Sequence, residues 1–336
     1  MPAADPVIEC VVNVSEGRNP ETLEALTLAI KQVPGCYLLH RDVGAGAHRT
    51  VFTFAGSPEA VYEGAFSVYA VAHERIDMER HRGEHPRLGA VDVCPFVPVA
   101  GITLEEVAAG AQEIGRRVAD TFQLPVYLYA GSARTPDRFN LADVRRGEYE
   151  GLNQKLADPA WQPDYGPSVP HPSLGATVIG ARPFLVAWNI NLSPNATVAQ
   201  ARQLAARLRG SGSRGRKGLF PGLKAIGWRI AEYGRCQISC NVVDPATVPL
   251  ARVYLTAANL AADLGISVTG SELIGLIPAA YLRSAAKGFC FDGSEEEEMD
   301  AAVAILGLNE LAPFSWRERT LETVYRAAVQ TGHRTQ

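Results

Sequence analysis

The densest set of reactive side chains lies in residues 77–99, where Asp77, Glu79, Arg80, His81, Arg82, Glu84, His85 and Arg87 lead into an apolar run. Loops held by a rigid sheet are where catalytic groups tend to sit. Three chemistries compete here. The spacing His81-Arg82-Gly83-Glu84-His85 fits the H-x-x-E-H pattern of inverted zinc peptidases. That pattern needs a helix, on which residues four apart share a face. Gly83 weakens a helix at this point, and Pro86 pushes His85 out of α geometry, so no metal is expected. A second reading is a polar loop with surface histidines, and it is adopted for His81. The third makes His85 a general acid and base. Imidazole titrates near neutrality and can take and return a proton within one cycle. Pro86 would fix the backbone, with Glu84 and Arg87 setting the charge, although structural ion pairs leave the same trace in sequence.

Other segments offer less. Asp42 ends an apolar run ahead of Gly44-Ala45-Gly46; it is either a turn former or a carboxylate facing a cleft. Asn13, at the end of the first apolar run, has the same two readings. Gly210 to Gly218 is glycine-rich and basic but lacks the GK[ST] ending of a phosphate loop, which predicts a mobile surface loop. Glu295 to Glu298 after Ser294 reads as a capped, solvated helix start.

These groups need elements to position them. Residues 8–14 read as a strand. Asn19-Pro20-Glu21 and Ser57-Pro58-Glu59 each signal a helix start by cap, proline and acid. Residues 36–41, 49–54, 90–99 and 125–129 read as strands, residues 141–150 as a short helix, and Thr103 to Glu106 as a capping box opening a helix to about residue 119. Residues 151–175 are punctuated by Pro159, Pro163, Pro167, Pro170 and Pro172. Such chain is stiff and extended, and Trp161 and Tyr165 mark it as an ordered loop. The pattern then restarts: a strand-like run over 177–192, a helix over 196–208, strands over 223–230 and 235–243, a helix over 248–264, a strand over 266–269, and a helical tail over 295–336. The order β-α-β-β-α-β therefore occurs twice, and Val12-Asn13-Val14-Ser15 is echoed by Ile190-Asn191-Leu192-Ser193. The expected class is α+β. It comprises two similar subdomains, 1–175 and 176–336, each a mostly antiparallel sheet with helices on one face, whose bare faces could cover each other or line a cavity.

The chain has 336 residues, a net charge of -4, 47% hydrophobic and 20% charged residues, as expected of an ordinary globular protein. A mildly acidic chain has no electrostatic drive towards nucleic acid or anionic membrane, so small-molecule substrates are expected. Met1-Pro2-Ala3-Ala4-Asp5 lacks the basic and apolar regions of a signal peptide, and the longest apolar stretch, 176–192, is too short and too polar to span a membrane. Cys10, Cys36, Cys94, Cys236, Cys240 and Cys290 form no CxxC pair, which predicts free thiols in a reducing compartment, the cytoplasm.

Several stretches resemble one family closely: residues 9–19 (ECVVNVSEGRN), 49–56 (RTVFTFAG), 83–99 (GEHPRLGAVDVCPFVPV), 125–129 (PVYLY), 146–150 (RGEYE), 163–167 (PDYGP), 175–185 (GATVIGARPFL) and 268–278 (VTGSELIGLIP). The chain resembles the formiminotransferase family, the transferase domain of glutamate formimidoyltransferases, which in animals is fused to a cyclodeaminase. The resemblance implies two stacked subdomains with sheets face to face and helices outside, folate between the sheets, and a homodimer. It implies transfer of the formimino group of N-formimino-L-glutamate to N5 of tetrahydrofolate, as co-substrate and without metal, in histidine degradation. The family's catalytic histidine falls on His85, and its asparagine and aspartate on Asn13 and Asp42. Its folate-contacting loop falls on Gly166, Pro167, Ser168, Val169, Pro170, His171, Pro172, Ser173, Leu174 and Gly175. The family often has Asp at the position of His40 and Asn at that of His48, and the loop around Ser168 to Pro172 differs in detail from animal members. No cyclodeaminase stretch accompanies the transferase, so a following deamination would need a separate enzyme. N-formylglutamate or formiminoglycine as donor, and a non-catalytic folate-binding relative, are the alternatives. Arg49, Arg87 and Arg182 are the candidates for holding the donor's carboxylates.

Overall fold

The computed structural model describes residues 5–83, 86–213, 215–230, 233–287 and 293–332. Contacts divide the chain into two units, one ending at Pro183 and the other beginning at Phe184.

In the first unit the local signals act where they are read. Asn19 caps α1 (Pro20–Lys31) by accepting from Glu21 N and Thr22 N, after β1 (Val7–Val14). The hairpin β2 (Cys36–Gly44) and β3 (Arg49–Gly56) follows, then α2 (Pro58–Arg75), capped by Ser57. β4 (Val91–Ala100) leads to α3 (Leu104–Phe122), whose Thr103–Glu106 capping box is complete in both directions. β5 (Val126–Leu128), the short helices α4 (Leu141–Val144) and α5 (Leu152–Ala157), and β6 (Thr177–Ala181) complete the unit. The six strands run in the order β2-β3-β1-β4-β6-β5. The β4–β6 and β5–β6 pairs are parallel and the others antiparallel.

Alternation sorts the two faces. Ile8, Cys10, Val12, Phe52, Phe54, Cys94 and Ile179 pack under α1, α2 and α3 in one core. Val93, Tyr127, Tyr129 and Val178 point the other way and are covered by Val144 of α4 and by Leu152 and Leu156 of α5.

The second unit comprises β7 (Val186–Leu192), α6 (Val198–Leu208), β8 (Leu223–Ile230), β9 (Arg235–Val242), α7 (Leu250–Ala262) and β10 (Val268–Ile274), then α8 (Ala279–Lys287), α9 (Glu295–Leu306), α10 (Trp316–Arg319) and α11 (Leu321–Gly332). Its sheet is antiparallel in the order β10-β7-β9-β8. Its core joins Trp188, Ile190, Ile238 and Cys240 to the helices.

The repeated β-α-β-β-α-β order is therefore present in both units, and the class is α+β. The run 177–192 is two strands rather than one. β6 pairs with β4 and β5 in the first sheet, and β7 belongs to the second. The division consequently falls after Pro183, whereas the sequence pattern alone sets it at 175/176. The expected helix over 141–150 shrinks to α4, because Gly147 (φ 90°) and Glu148 (φ 54°) leave helical geometry. Cys10, Cys36, Cys94, Cys236 and Cys240 are buried free thiols, and Cys290 lies outside the described residues. Among the described residues no helix is long and apolar enough to cross a membrane.

Candidate active site

The register of the first sheet sets Asn13 and Asp42 in one row. Both face Val51, Asn13 from β1 and Asp42 from β2. Two strand spacings separate them, about 10 Å. The row continues through Val93, Val178 and Tyr127 across all the strands. Because side chains alternate, this row lies opposite the α1–α3 layer. Asn13 is half-buried and donates from Nδ2 to Val11 O at 3.1 Å.

Arg49 lies two residues from Val51 on β3 and shares this face. Burial lowers its pKa to about 10, and the charge of Arg145 acts in the same direction, against the carboxylates of Asp42 and Asp92. Arg49 therefore lies within electrostatic reach of these three charges. Asp92 is buried; its Oδ1 accepts from Leu88 N at 3.0 Å and from Arg145 Nε at 3.2 Å, and Arg145 also bonds its Oδ2. Burial lifts Tyr129 to about 12 although Arg182 and Arg145 stand beside it. Of the three arginines considered for a donor carboxylate, Arg49 and Arg182 thus lie by this face. Arg87 is committed elsewhere: its guanidinium forks onto Glu150, at 2.9 and 2.7 Å.

Glu84 and the expected acid–base imidazole, His85, lie outside the described residues. The chain on either side is described. His81, expected at the surface, is only 4% exposed. Both its nitrogens are in use, Nδ1 with Arg87 Nε at 3.3 Å and Nε2 with His48 O at 2.8 Å, which leaves it no lone pair for a metal. Sequence reasoning missed this because its partners are separated from it along the chain. Downstream, the approach to β4 is pinned by Ser15, whose Oγ donates to Gly89 O at 2.7 Å, and by Ala90 N donating to Leu174 O at 2.9 Å. Gly89 is required here, since a Cβ would fall 2.2 Å from Ala176 O and from Leu174 O.

The loop 166–175 ends in a tight turn. His171 N donates to Gly175 O at 2.8 Å and Gly175 N to His171 O at 2.9 Å, while the His171 Nδ1 accepts from Leu174 N at 3.1 Å. That leaves its proton on Nε2. Burial, with His73 nearby, lowers the pKa of His171. Met78 N donates to Ser173 O at 2.8 Å, fastening this turn to the 77–87 segment.

A cavity of about 620 Å³ opens between the two segments, lined by Glu79 and Arg82 from one, by Val169, Pro170, His171 and Pro172 from the other, and by Tyr149, Glu150 and Asn153. Two stretches singled out separately in the sequence thus form walls of one cavity. Asn13 and Asp42 do not line it; they occupy the sheet face.

The sequence has known counterparts along most of its length. Residues 7–182 match the formiminotransferase domain, N-terminal subdomain, and residues 187–326 match the formiminotransferase domain. The chain belongs to the formiminotransferase family. It is 40% identical over 276 residues to the glutamate formimidoyltransferase of Streptococcus pyogenes serotype M1, covering 82% of this chain and 90% of that protein. It is 35% identical over 283 residues to the glutamate formimidoyltransferase of Thermoplasma acidophilum, covering 84% and 91%. It is 45% identical over 322 residues to the formimidoyltransferase-cyclodeaminase of Rattus norvegicus, covering 94% of this chain but 59% of the rat protein.

Proposed function

We propose that this chain is a glutamate formimidoyltransferase. It moves the formimino group of N-formimino-L-glutamate to N5 of tetrahydrofolate, giving 5-formiminotetrahydrofolate and L-glutamate in histidine degradation. The observation that carries this is the match of the chain to both formiminotransferase subdomains.

On this reading N5 attacks the amidine carbon. The N5–C bond forms, a tetrahedral carbon bearing three nitrogens results, and the bond from that carbon to the glutamate nitrogen then breaks. His85 takes the proton that N5 loses and returns it to the departing nitrogen, a task suited to a group titrating near neutrality. Asp42 steadies the cationic amidinium or imidazolium by its charge, and Asn13 orients a nitrogen. The two lie in one row of the sheet, and on this reading Arg49 and Arg182 take the donor carboxylates. The loop from Gly166 to Gly175 contacts the folate, with Val169 to Pro172 as its wall of the cavity. Holding two substrates in register supplies much of the remaining rate enhancement. The protein works as a homodimer in the cytoplasm, with no metal in the step.

The test is a spectroscopic assay of purified protein with tetrahydrofolate and, in parallel, N-formiminoglutamate, N-formylglutamate and formiminoglycine. Turnover with the first donor well above the other two is the expected result. Turnover with none of them would overturn the reading.

A further inference from the structure

In the second unit, Trp228 on β8 and Gln237 on β9 are register partners. Cys236, Ile238 and Cys240 of β9 turn towards the helices, so by alternation Gln237 lies on the opposite face of the sheet, and Trp228 with it. Gln237 is fully buried. Its Nε2 donates to Asn191 Oδ1 at 2.7 Å and to Glu272 Oε2 at 3.3 Å. Asn191 in turn donates from Nδ2 to Glu310. Both amides are thereby held in one orientation, since turning either over would set its oxygen against a carboxylate. Gln237 Oε1 points away from these partners and has none of its own among the described residues. Trp228 Nε1 is also buried, and it too has no partner among them. An N–H donor and a C=O acceptor thus stand on neighbouring strands, both withdrawn from water and both unmet. Leaving such groups unmet costs their full desolvation, and the few that native structures keep mark functional positions or places filled by water, an ion or a ligand. Trp188 Nε1 is unpartnered as well, but it sits in the apolar core beneath the helices, where a polar ligand has no entry.

We propose that Trp228 and Gln237 read the lactam edge of tetrahydrofolate, with Trp228 Nε1–H donating to the 4-oxo oxygen and Gln237 Oε1 accepting from N3–H. The inference rests on the reading of tetrahydrofolate as co-substrate. A lactam sets one acceptor directly beside one donor, which is the complement of this pair. A carboxylate offers only acceptors and would leave Gln237 Oε1 facing another oxygen. An ammonium group offers only donors and would leave the Trp228 N–H unmet. The neighbouring surface fits a flat ring. Ile226, the next residue on this face of β8, is 55% exposed and faces the half-buried Ser239, so the strip beside the pair is open. Indole and isoleucine together make an apolar bed, and a polar pair at its edge fixes orientation. The restraint on Gln237 makes the pair selective. An amide free to turn could present its NH2 and accept a ring with the opposite pattern just as well, and the bonds to Asn191 and Glu272 forbid that turn.

The experiment titrates the intact protein with tetrahydrofolate and with its 4-amino-4-deoxy analogue, which presents a donor in place of the oxo group and a bare ring nitrogen in place of N3–H. Isothermal calorimetry is run on the unaltered protein, on Trp228→Phe, which keeps an aromatic ring without the N–H, and on Gln237→Met, which keeps the length without the amide. Steady-state kinetics with N-formiminoglutamate are measured alongside. The unaltered protein should bind tetrahydrofolate about 10²-fold more tightly than the analogue. Each variant should weaken tetrahydrofolate about tenfold and leave the analogue within about twofold. A loss shared equally by both ligands in either variant would show a packing role only and overturn the proposal, and so would no loss at all. Equal affinities in the unaltered protein, the result expected of a pair that holds an ordered water only, would overturn it too. If Gln237→Met does not fold, Trp228→Phe decides alone. Absence of tetrahydrofolate binding overturns the folate reading and this inference together. Selective binding without turnover overturns the proposed reaction and leaves the lactam pair standing.

Discussion

Asn13 and Asn191 hold the same place in the two units. Each sits near the end of the first strand of a β-α-β-β-α-β unit, on the face away from the packed core, in the echoed segments that end at Ser15 and Ser193. Their surroundings differ. Asn191 is fully buried and uses both ends of its amide, donating to Glu310 Oε2 at 2.5 Å and accepting from Gln237 Nε2 at 2.7 Å. Gln237 and Asn189 both reach Glu272, and Arg235 closes the network on Glu310. Asn13 is half-buried and shares its face with Asp42 and Arg49. The comparison teaches that the scaffold is indifferent to chemistry. The second unit fills its equivalent face with side chains that bond one another, and among the described residues Gln237 Oε1 and Arg235 Nε are left without a partner. The first unit adds α3, β5 and β6 beyond the common order, and with them the loop and cavity.

The sharpest break of that comparison is at His85. His85→Ala should lower turnover by about 10²- to 10⁴-fold with the Kd for tetrahydrofolate little changed, as stopped-flow kinetics and equilibrium titration would report. Wild-type turnover would take the acid–base role away from His85 and leave the first unit without its proposed proton carrier. Next comes the arginine-paired acid in each unit. Asp92→Asn strands the Arg145 charge and loosens Leu88, and should cost about 3–5 kcal/mol. Glu310→Gln acts on a more exposed pair, with Glu310 at 19% and Arg235 at 23% side-chain exposure, and should cost about 1–2 kcal/mol. Urea midpoints would rank the two, and a reversed order would contradict the assignment of the tighter pair to the first unit.

The asparagines give the direct contrast. Asn191→Ala leaves Glu310 and Gln237 short of a partner and should destabilise by about 1–3 kcal/mol with kcat unchanged in the folded enzyme. Asn13→Ala should leave the midpoint nearly unmoved and lower kcat by about 10²-fold. Equal effects of both on stability, or none of either on kcat, would erase the functional difference between the faces.

How much of this was legible in the sequence follows from the range of each interaction. The caps at Asn19, Ser57 and Thr103 work within three residues, and all appear where their spacing places them. The repeated element order came from periodicity, which is also local. Pairing is not: nothing in the run 177–192 says that its first half joins β4 and its second half a different sheet, although Pro183 marks the break. Helix α8 was missed because Ala279–Lys287 carries no cap signal of its own. Among the site residues, Asn13 and Asp42 were found at strand ends, but their common row needs the register. His81 was misplaced because its neighbours in sequence are polar, while the partners that bury it, His48 and Arg87, are brought in by the hairpin and by Glu150.

The smallest effect separates the units by pH. Every described histidine belongs to the first unit, since His40, His48, His73, His81 and His171 precede Phe184. Burial lowers the pKa of His81, and the His48 ring and the Arg87 charge add to the shift; burial and His73 lower that of His171. A histidine depressed in this way is neutral in the fold, and the unfolded chain binds the proton more tightly. Its contribution to stability is complete above the unfolded value, about 6.5, and drains away as pH falls from there towards the folded value. The carboxylates of Glu16 and Glu150 are also lowered, Glu16 by amides acting against burial and Glu150 first by Arg87. Their contributions are lost only as pH falls below about 4.3. Between pH 6.5 and 5, hydrogen exchange corrected for intrinsic rates should therefore show protection falling in the first unit while the second holds. His81→Phe should flatten that limb and leave the carboxylate limb in place. A uniform loss across both units would mean that the acid sensitivity does not come from the histidines that only the first unit's described residues carry.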